Sequence, residues 1–365
     1  MATAPTDIRE LTLEEVKALV AEVGEKPYRA KQLWEWLWKK KARAFDDMSD
    51  LPKAFREKLA ARTLFRPLTL VEEQLSEDGT VKCAFKTWDG HVVEGVLIPT
   101  PTRLTACISS QIGCSLSCSF CATGKLKRIR NLDAAEIVDQ VTMIDDLALK
   151  YHKQSVTNIV YMGMGEPLLN YANTLRSAER IMAQDGLGMG ARRVTVSTAG
   201  IVKMIRKLAD DGARFNLALS LHAANDEKRD KIMPINEQNS LTDLKDALRY
   251  YTRVTRKEVT FEYILLRGFN DSLADAQELV RYASDVHAKV NLIEYNPIDP
   301  GSGPGVKGSF ERTDTEDAVA FMYHLEKKGI VARIRRSRGR DIDAACGQLA
   351  NKNEPALKDG ERVMK

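Results

Sequence analysis

The stretch "ACISSQIGCSLSCSFCATG", residues 106–124, closes a short apolar run and carries four of the six cysteines of the chain. These are Cys107, Cys114, Cys118 and Cys121. Four thiolates are enough to complete a tetrahedral metal site. The first question is therefore whether the cysteines act as one set of four or as three plus one.

The last three of these cysteines form a CxxxCxxC pattern, and this spacing bears on the kind of metal site. Three thiolates in one short loop can bind three irons of a 4Fe–4S cluster and leave the fourth iron open. A structural zinc ion would need Cys107 or a distant histidine as its fourth ligand. The spacing favours the iron–sulfur cluster and leaves zinc as the alternative.

From about residue 105 onward, short apolar runs rich in β-branched residues alternate with amphipathic helical stretches. Repeats of this length predict a parallel sheet with helices packed outside it. Six repeats predict an α/β fold with a partial (βα)6 barrel. The strand candidates are "LTACISS", "VTNIVYMGM", "RRVTVST", "FNLALSLH", "EVTFEYILL" and "KVNLIEYN".

In such barrels the functional residues gather where the strands end. The cysteine loop follows the first predicted strand, and polar or glycine-rich segments come at the ends of four others. They are "GMGEP" (163–167), "STAG" (197–200), "SLH" (220–222) and "YNP" (295–297). We expect these segments to meet the cysteine loop at one mouth of the barrel.

Four regions are predicted along the chain. Residues 1–66 read as a small helical domain of a helix-hairpin-helix-like, RNA-binding type, and residues 67–104 as a β-hairpin extension. Asp78-Gly79 and Asp89-Gly90 supply its tight turns. Residues 105–350 form the barrel core, and residues 351–365 are a tail.

Composition describes an ordinary globular chain of 365 residues, 44% hydrophobic and 29% charged. No apolar run is long enough to span a bilayer, and the N-terminus lacks a signal-peptide layout, so we expect a cytoplasmic protein without membrane contact. Cysteines crowded into one loop do not resemble a disulfide framework, which favours metal or redox chemistry.

The cysteine spacing after a first barrel strand, with Phe120 just before the last cysteine, resembles the radical S-adenosylmethionine (SAM) superfamily. There the open iron is chelated by SAM, and an electron from the cluster cleaves SAM to a 5′-deoxyadenosyl radical. "GMGE" resembles the superfamily's glycine-rich segment after the second strand. The resemblance implies that Cys114, Cys118 and Cys121 hold a 4Fe–4S cluster, one per chain.

A longer set of motifs, running in order from about residue 24 to 349, resembles the RlmN family of bacterial dual-specificity RNA adenine-C2 methyltransferases. The motifs are "GEKPYRAKQLWEWLW", "VEGVLIP", "CISSQIGCSLSCSFCATG", "YMGMGEPLLNY", "VTVSTAG", "ALSLHAANDEKRDKIMPIN", "TFEYILLRGFNDS", "VNLIEYNP" and "GRDIDAACGQL".

This resemblance implies a catalytic sequence built on three residues. One SAM methylates Cys346, and a second SAM gives the radical that turns this methyl group into a methylene radical, which adds to adenine C2. Glu94 then accepts the C2 proton, and Cys107 resolves the protein–RNA adduct through a transient disulfide with Cys346. Without the family resemblance, Glu94 would be interpreted as a surface carboxylate, and Cys107 could equally be a small buried apolar residue.

Family membership would also imply the cofactor contacts and partners. Two SAM molecules are consumed per turnover. The substrates are an adenine in the peptidyl-transferase centre of 23S rRNA and the adenine next to the anticodon in certain tRNAs. The enzyme is a monomer, and flavodoxin or ferredoxin donates electrons to its cluster. The SAM-contacting positions are Gly165, Glu166, Ser197, Ser220, Leu221, His222 and Asn296.

Two basic runs, "KLKRIR" (125–130) and "RIRRSRGR" (333–340), are by charge alone as consistent with solvated surface as with a phosphate track. Because one follows the cluster loop and the other precedes Cys346, we expect both to border the RNA entrance. "KLKRIR" and Gly95 depart from the family pattern. Cys83 fits no catalytic role, and we interpret it as structural.

Two other functions are compatible with the sequence. A Cfr-type enzyme uses the same cysteines to methylate C8 of the same adenine. A non-catalytic RNA-binding protein with a structural metal site would hold zinc and would give Cys346 no special role.

Anaerobic reconstitution with iron and sulfide distinguishes an enzyme from a structural metal protein. We expect a brown protein that cleaves SAM on reduction, because three thiolates leave one iron open. The measurement is the absorbance of the cluster together with chromatography of 5′-deoxyadenosine. A colourless protein that retains zinc would contradict the cluster assignment.

Overall fold

The computed structural model describes residues 5–298 and 310–350, so the predicted tail at 351–365 lies outside the described residues. The strands of the main sheet are β1 (Thr69–Leu75), β2 (Val81–Lys86), β3 (Val92–Thr100), β4 (Arg103–Cys107), β7 (Asn158–Tyr161), β8 (Val194–Thr198), β9 (Asn216–Ser220), β10 (Val259–Leu265), β11 (Ala288–Glu294) and β12 (Ala332–Arg335). A separate short pair is β5 (Gln111–Ile112) with β6 (Arg130–Asn131).

The ten strands of the main sheet follow the order β1-β2-β3-β4-β7-β8-β9-β10-β11-β12. The pairs from β4 to β12 are all parallel. This confirms the α/β barrel-type core with its six predicted strands. β12 is a seventh parallel strand that the sequence interpretation missed, because "ARIR" was read as part of a basic run.

Ten α-helices are found in the described residues. The first three precede the sheet, and the others lie in the connections between parallel strands, as βα repeats require. They are α1 (Leu13–Glu22), α2 (Tyr28–Trp38), α3 (Lys53–Ala60), α4 (Ala134–His152), α5 (Tyr171–Met182), α6 (Val202–Asp210), α7 (Asp226–Ile232), α8 (Leu241–Thr255), α9 (Leu273–Ala283) and α10 (Thr315–Lys327).

β1, β2 and β3 form the predicted hairpin extension, and both connections are antiparallel. Gly79 and Gly90 take φ values of +84° and +89° at the two turns, a left-handed conformation that glycine adopts without strain. β3 then pairs antiparallel with β4, which carries Cys107. The extension is therefore continuous with the barrel sheet and forms its first edge.

The departure at Gly95 has a packing explanation. A Cβ atom on this residue would stand 3.0 Å from Phe85 Cε2 and 3.1 Å from Ile144 Cδ1. Phe85 is fully buried, and its ring occupies the space that a side chain at position 95 would need. The glycine is matched to this packing and does not alter the neighbouring Glu94.

A buried ion network joins the N-terminal helices to the barrel. Arg9, 2% exposed, donates to Asp7 Oδ2 at 3.0 Å and to Asp139 Oδ1 on α4 at 2.7 Å. Asp7 Oδ2 also accepts the backbone N–H of Arg66, and the second oxygen of Asp139 accepts the backbone N–H of Leu68. The boundaries predicted at residues 66, 104 and 350 stay predictions.

Replacing Arg9 should destabilise the protein through this network. Arg9→Met leaves two buried carboxylates without their cation, and breaking such a pair costs about 3–5 kcal/mol. The free energy of unfolding from urea titration measures the loss. Lys17→Met is the matched control, because Lys17 forms an exposed pair with Glu14 that contributes at most about 1 kcal/mol. Equal losses in both variants would contradict the role of the network.

Candidate active site

A pocket opens at the carboxyl ends of the parallel strands, where barrel enzymes carry their active sites. Its walls come from the cysteine loop, from the ends of β7, β8, β9 and β10, and from β12. The structure brings nine of the sequence-predicted residues together here: Cys114, Cys118, Cys121, Gly165, Glu166, Ser197, Ser220, His222 and Cys346. Leu221, Asn296, Cys107 and Glu94 do not line this pocket.

The three cysteines of the CxxxCxxC pattern lie on one wall of the pocket. Burial raises the pKa of the Cys114 thiol to about 11, and it also raises the pKa of Cys118 and Cys121. Each thiol interacts electrostatically with at least one of the others. Phe120 packs beneath them in a separate apolar cluster that includes Met233. The three cysteines are partly exposed to the pocket, and a bound metal would stabilise the thiolate forms that burial disfavours.

The glycine-rich segment after β7 fits tightly against the cysteine-bearing chain. Gly165 has φ +93°, and a Cβ atom there would stand 2.5 Å from Gln111 Cβ. Glu166 is 3% exposed, and its two carboxylate oxygens accept the N–H groups of Leu168 at 2.9 Å and Ala199 at 2.7 Å. Burial raises the pKa of Glu166 despite these hydrogen bonds. Its side chain thereby ties the end of β7 to the end of β8.

The ends of β8 and β9 are held by a buried arginine that the sequence interpretation missed. Arg229 donates to the carbonyl oxygens of Ala199 at 2.6 Å, Leu221 at 3.0 Å and Ser220 at 3.3 Å. The Leu221 side chain lies in the core, so only its backbone is available near the pocket. Arg229 lies in the charged run "DEKRDK", and nothing in this run indicates that one of its side chains points inward.

His222 is buried with a φ of +59°, and its ring lies edge-on to Phe120 with centroids 4.6 Å apart. Its Nδ1 accepts the Ile264 N–H at 3.1 Å. Burial and the nearby Arg229 lower the pKa of His222 to about 3, so the ring is neutral at physiological pH. The neutral imidazole of His222 forms a polar part of the pocket wall.

The segment that carries Cys346 is attached to the cysteine loop by backbone contacts. Ala122 N–H donates to the Gly347 carbonyl at 2.7 Å, and the Thr123 hydroxyl donates to the Leu349 carbonyl at 2.6 Å. Asn296 Nδ2 donates to the Cys346 carbonyl at 3.4 Å. These bonds place the partly exposed Cys346 on the rim of the pocket.

Cys107 lies behind the pocket wall, within electrostatic reach of Cys346. It is 6% exposed, and burial raises the pKa of its thiol to about 12. Arg335 from β12 interacts with both thiols and lies 3.8 Å from Glu262 Oε2. In the sequence, Arg335 is recognisable only as part of a basic run, whereas in the structure Arg335 lines the pocket. All six cysteines are free thiols, so the disulfide between Cys107 and Cys346 stays a prediction.

Glu94 is more enclosed than a surface carboxylate. It is 1% exposed, and Oε1 forms an ion pair with Lys82 Nζ at 2.9 Å. Oε2 accepts the Ala350 N–H at 2.8 Å. The carboxylate is thus bonded to the segment that carries Cys346, although it does not line the pocket. Nothing in the sequence indicated Lys82 as its partner.

The donor atoms of the pocket fit an iron–sulfur cluster with SAM beside it. Among the described residues, no three or more His, Cys, Asp or Glu side chains are grouped so that they could hold a single metal ion. A cluster differs from a single ion because it distributes its thiolates over separate irons. Cys107, a candidate in the sequence for a fourth zinc ligand, does not line this pocket and interacts with Arg335. Two buried oxygens lack hydrogen-bond partners in the described residues. Glu262 Oε2 is on the pocket wall, where it also pairs with Arg335, and Asn296 Oδ1 belongs to a side chain that is bonded to the Cys346 carbonyl.

Comparison with known proteins agrees with this geometry. The sequence profile of the radical SAM superfamily matches residues 108–282, and that of the ribosomal RNA large subunit methyltransferase N-terminal domain matches residues 6–64. A relative from Cytophaga hutchinsonii, named probable dual-specificity RNA methyltransferase RlmN, is 50% identical over 345 residues, covering 94% of this chain and 93% of its own.

The chain belongs to the RlmN family of radical SAM RNA methyltransferases.

Two further relatives support the assignment to the RlmN family. An RlmN from Anaeromyxobacter is 42% identical over 353 residues, covering 96% of this chain and 92% of its own. The crystal structure of a radical SAM methyltransferase from Sphaerobacter thermophilus superposes with a TM-score of 0.87 at 43% identity, covering 94% of this chain and 99% of that one. Membership implies a 4Fe–4S cluster, SAM and an RNA substrate. Among the described residues of this RlmN-family chain, the helices are too short or too polar to cross a membrane.

The thiol of Cys107, behind the pocket wall, and the thiol of Cys346, on the pocket rim, should be alkylated at different rates. In protein without its cluster, iodoacetamide should modify Cys346 well before Cys107 at pH 8, because only roughly one in 10,000 thiols with a pKa of about 12 is ionised there. The thiolate fraction of Cys107 rises about tenfold per pH unit, so its modification accelerates with pH.

Peptide mass spectrometry after timed labelling measures both rates. The buried Cys83 is the internal control, and its raised pKa predicts slow labelling like that of Cys107. Labelling in urea should make all rates similar. Equal labelling of Cys107 and Cys346 in the folded protein would contradict the burial of Cys107.

Proposed function

We propose that this chain methylates C2 of adenine in RNA, acting on one adenine of 23S rRNA in the peptidyl-transferase centre and on the adenine next to the anticodon of certain tRNAs. The observation that carries the proposal is the position of Cys346. The residues that follow it, Gly347 and Leu349, are bonded to the cysteine loop, and its thiol interacts with Cys107, which is the pairing that an S-methylcysteine mechanism requires.

Adenine C2 explains why radical chemistry is needed. It is an electron-poor sp² carbon without a lone pair, so it cannot attack the methyl group of a sulfonium ion. A cluster held by Cys114, Cys118 and Cys121, with SAM at its open iron, would supply the methyl group and a hydrogen-abstracting radical. The pocket walls around these cysteines are largely apolar, which protects reactive carbon from water.

Cys346 carries the one-carbon unit. Its sulfur takes up the methyl group, and the same carbon, after loss of a hydrogen atom, forms a bond to C2. The adduct still carries the C2 hydrogen and one unpaired electron, and a cluster held by Cys114, Cys118 and Cys121 would take up that electron. The RNA is then attached to the chain through a thioether, with the C2 proton still to be removed. A residue on the rim of the pocket suits this task, because it must meet a cofactor on one side and a base on the other. The adenine must be turned out of the base stack of the RNA to reach Cys346.

Release of the product uses two other residues. The Glu94 carboxylate accepts the C2 proton, and the Cys107 thiolate attacks the bridging sulfur of Cys346. The sulfur–methylene bond breaks, and its electron pair together with a proton completes the methyl group, while Cys107 and Cys346 become a disulfide. Arg335 favours the thiolate of Cys107 and opposes the burial that raises its pKa. A thiol reductant restores the two cysteines for the next turnover.

The remaining assignments extend this proposal. Backbone and side-chain groups of Gly165, Glu166, Ser197, the segment 220–222 and Asn296 contact SAM, of which two molecules are used per turnover. The orphaned Asn296 Oδ1 supports its part in this set. Flavodoxin or ferredoxin reduces the cluster of a monomeric enzyme in the cytoplasm, where its RNA substrates are found. Methylation at C8 by a Cfr-type reaction is the competing outcome, and "GEPLLNY" with the N-terminal helices favours C2.

Removing the resolving thiol should trap the intermediate. Cys107→Ala keeps Cys346 and the cluster ligands, so the adduct should form but lack a nucleophile for its release. We expect a protein–RNA conjugate that survives denaturing electrophoresis and disappears on nuclease digestion. Only free protein and free RNA after turnover would refute the role of Cys107.

Two control variants separate this step from the others. Cys346→Ala should abolish both RNA methylation and the conjugate while the brown cluster still forms, because Cys346 is not a cluster ligand. Cys83→Ala removes another buried cysteine, on β2, and should leave turnover unchanged. Loss of the cluster in Cys346→Ala would show that the assignment of ligands is wrong.

A further inference from the structure

We propose that Lys82 is the positioning residue for Glu94: it holds one oxygen of the carboxylate in place, so that Glu94 can accept the C2 proton of the adduct. This inference rests on the proposed function, in which Glu94 is the proton acceptor. None of the family motifs includes Lys82, and it lies outside the pocket. Its assignment comes from the geometry of the two strands that carry the pair.

Lys82 and Glu94 stand on the same face of the hairpin extension. In the antiparallel pairing of β2 with β3, Lys82 is opposite Val96 and Ala84 is opposite Glu94. Side chains two residues apart on a strand share a face, so Lys82 and Glu94 are diagonal neighbours. Val96 is in turn opposite Cys107 on β4, which places the ion pair on the face that carries the resolving thiol.

The pair is buried and close. Lys82 Nζ lies 2.9 Å from Glu94 Oε1, and the two side chains are 4% and 1% exposed. Burying two charges costs several kcal/mol for each ion, and apolar residues of similar size often give equal or greater stability. Stability alone therefore does not account for an ion pair at this place. A reaction that needs a carboxylate in a dry environment does account for it.

The second oxygen of Glu94 connects the pair to the reacting cysteine. Glu94 Oε2 accepts the Ala350 N–H at 2.8 Å, a contact between residues 256 positions apart in sequence. Ala350 follows Cys346 by four residues, after Gly347 and Leu349, whose carbonyls are bonded to the cysteine loop. The carboxylate thus has one oxygen on Lys82 and the other on the segment that presents the S-methyl group.

The backbone of Glu94 is fixed as well. Its carbonyl accepts the Ser109 hydroxyl at 2.6 Å, and the same hydroxyl accepts the Met164 N–H at 2.7 Å. Strand β3, the start of the cysteine loop and the glycine-rich segment are therefore joined at this residue. With the backbone held in this way, the ion pair with Lys82 and the hydrogen bond from the Ala350 N–H orient the side chain.

Loss of Lys82 would remove the cation that holds Glu94 Oε1, so the carboxylate would no longer be fixed in the orientation in which it accepts the C2 proton. A buried carboxylate that loses a neighbouring cation also binds a proton more readily, and a protonated carboxyl group has no capacity to accept another. Methylation of Cys346 and formation of the adduct do not use Glu94 and should continue. The inference therefore predicts a defect in one step of the reaction only.

The experiment compares single turnover in reconstituted full-length variants whose Cys346 is already methylated. Lys82→Met should form the protein–RNA conjugate as wild type does but release it roughly 100-fold more slowly or worse, the scale of losing a general base. Lys82→Arg keeps the charge and should restore release to within about tenfold of wild type. Lys86→Met is the matched control, because Lys86 is the exposed residue at the end of the same strand.

The double variant Lys82→Met/Glu94→Gln addresses folding. Removing both charges leaves no unpaired ion, so its thermal stability should return toward that of wild type while the conjugate stays trapped. Release at the wild-type rate by Lys82→Met would overturn the inference. Equal losses of Cys346 methylation, conjugate formation and release would also overturn it, because they would show a structural role alone.

The single variant Glu94→Gln distinguishes failure of this inference from failure of the proposed function. If Glu94→Gln traps the conjugate and Lys82→Met does not, Glu94 is the proton acceptor and Lys82 is not its positioning residue. If Glu94→Gln releases RNA as wild type does, the proposed role of Glu94 is wrong, and the inference falls with it.

Discussion

The attachment of the C-terminal segment to the cysteine loop is the constraint on which the site depends. Thr123 and Leu349, which share a hydrogen bond, are 226 positions apart in sequence. Closing so long a chain costs little more entropy than closing one half as long, so a few backbone bonds suffice once the barrel has formed. They bring Cys346 to a pocket whose other walls come from the ends of β7 to β10.

The attachment is possible because the barrel sheet is open between its first and last strands. β12 ends at Arg335, and the segment after it crosses toward the hairpin extension. Ser76 donates to Asp341 at 2.6 Å, and the Gly339 N–H donates to Asp78 at 3.0 Å. The hairpin extension therefore serves as the docking surface for the segment that carries the reactive cysteine, and it also supplies Lys82 and Glu94.

Rigid polar contacts hold the strand ends in place behind the pocket. Arg229 and Glu166 each bond to the backbone of neighbouring strand ends, and neither leaves its charge without hydrogen bonds. Buried polar groups that are fully bonded fix a single arrangement, because every alternative leaves some of them unsatisfied. Few rearrangements are then needed when cofactor and substrate arrive, which is the condition for efficient catalysis by preorganised groups.

The sequence predicts the parts of this protein that follow local rules. Six barrel strands and both hairpin turns could be read from apolar alternation and Asp-Gly dipeptides, since these patterns reflect burial and turn geometry directly. β12 could not be predicted in this way, because three flanking arginines made this short strand look like part of a basic run.

Lys82 and Arg229 were also missed as interior residues, and Arg335 was missed as a residue of the pocket wall. Their inward positions are set by carboxylates and carbonyls that are distant in sequence, and a local pattern of charge carries no information about such partners. Glu94 was found only through family resemblance, and its ion pair came from the structure.

The central claim, that this pocket directs one carbon atom to C2 of adenine, is tested most directly by the RNA itself. Nucleoside mass spectrometry should compare 23S rRNA and tRNA from a strain that lacks the gene with RNA from the same strain carrying it. The account predicts 2-methyladenosine that is absent without the gene and restored with it, but not by the Cys346→Ala form. Restoration of 8-methyladenosine in its place, or no change in either nucleoside, would contradict it.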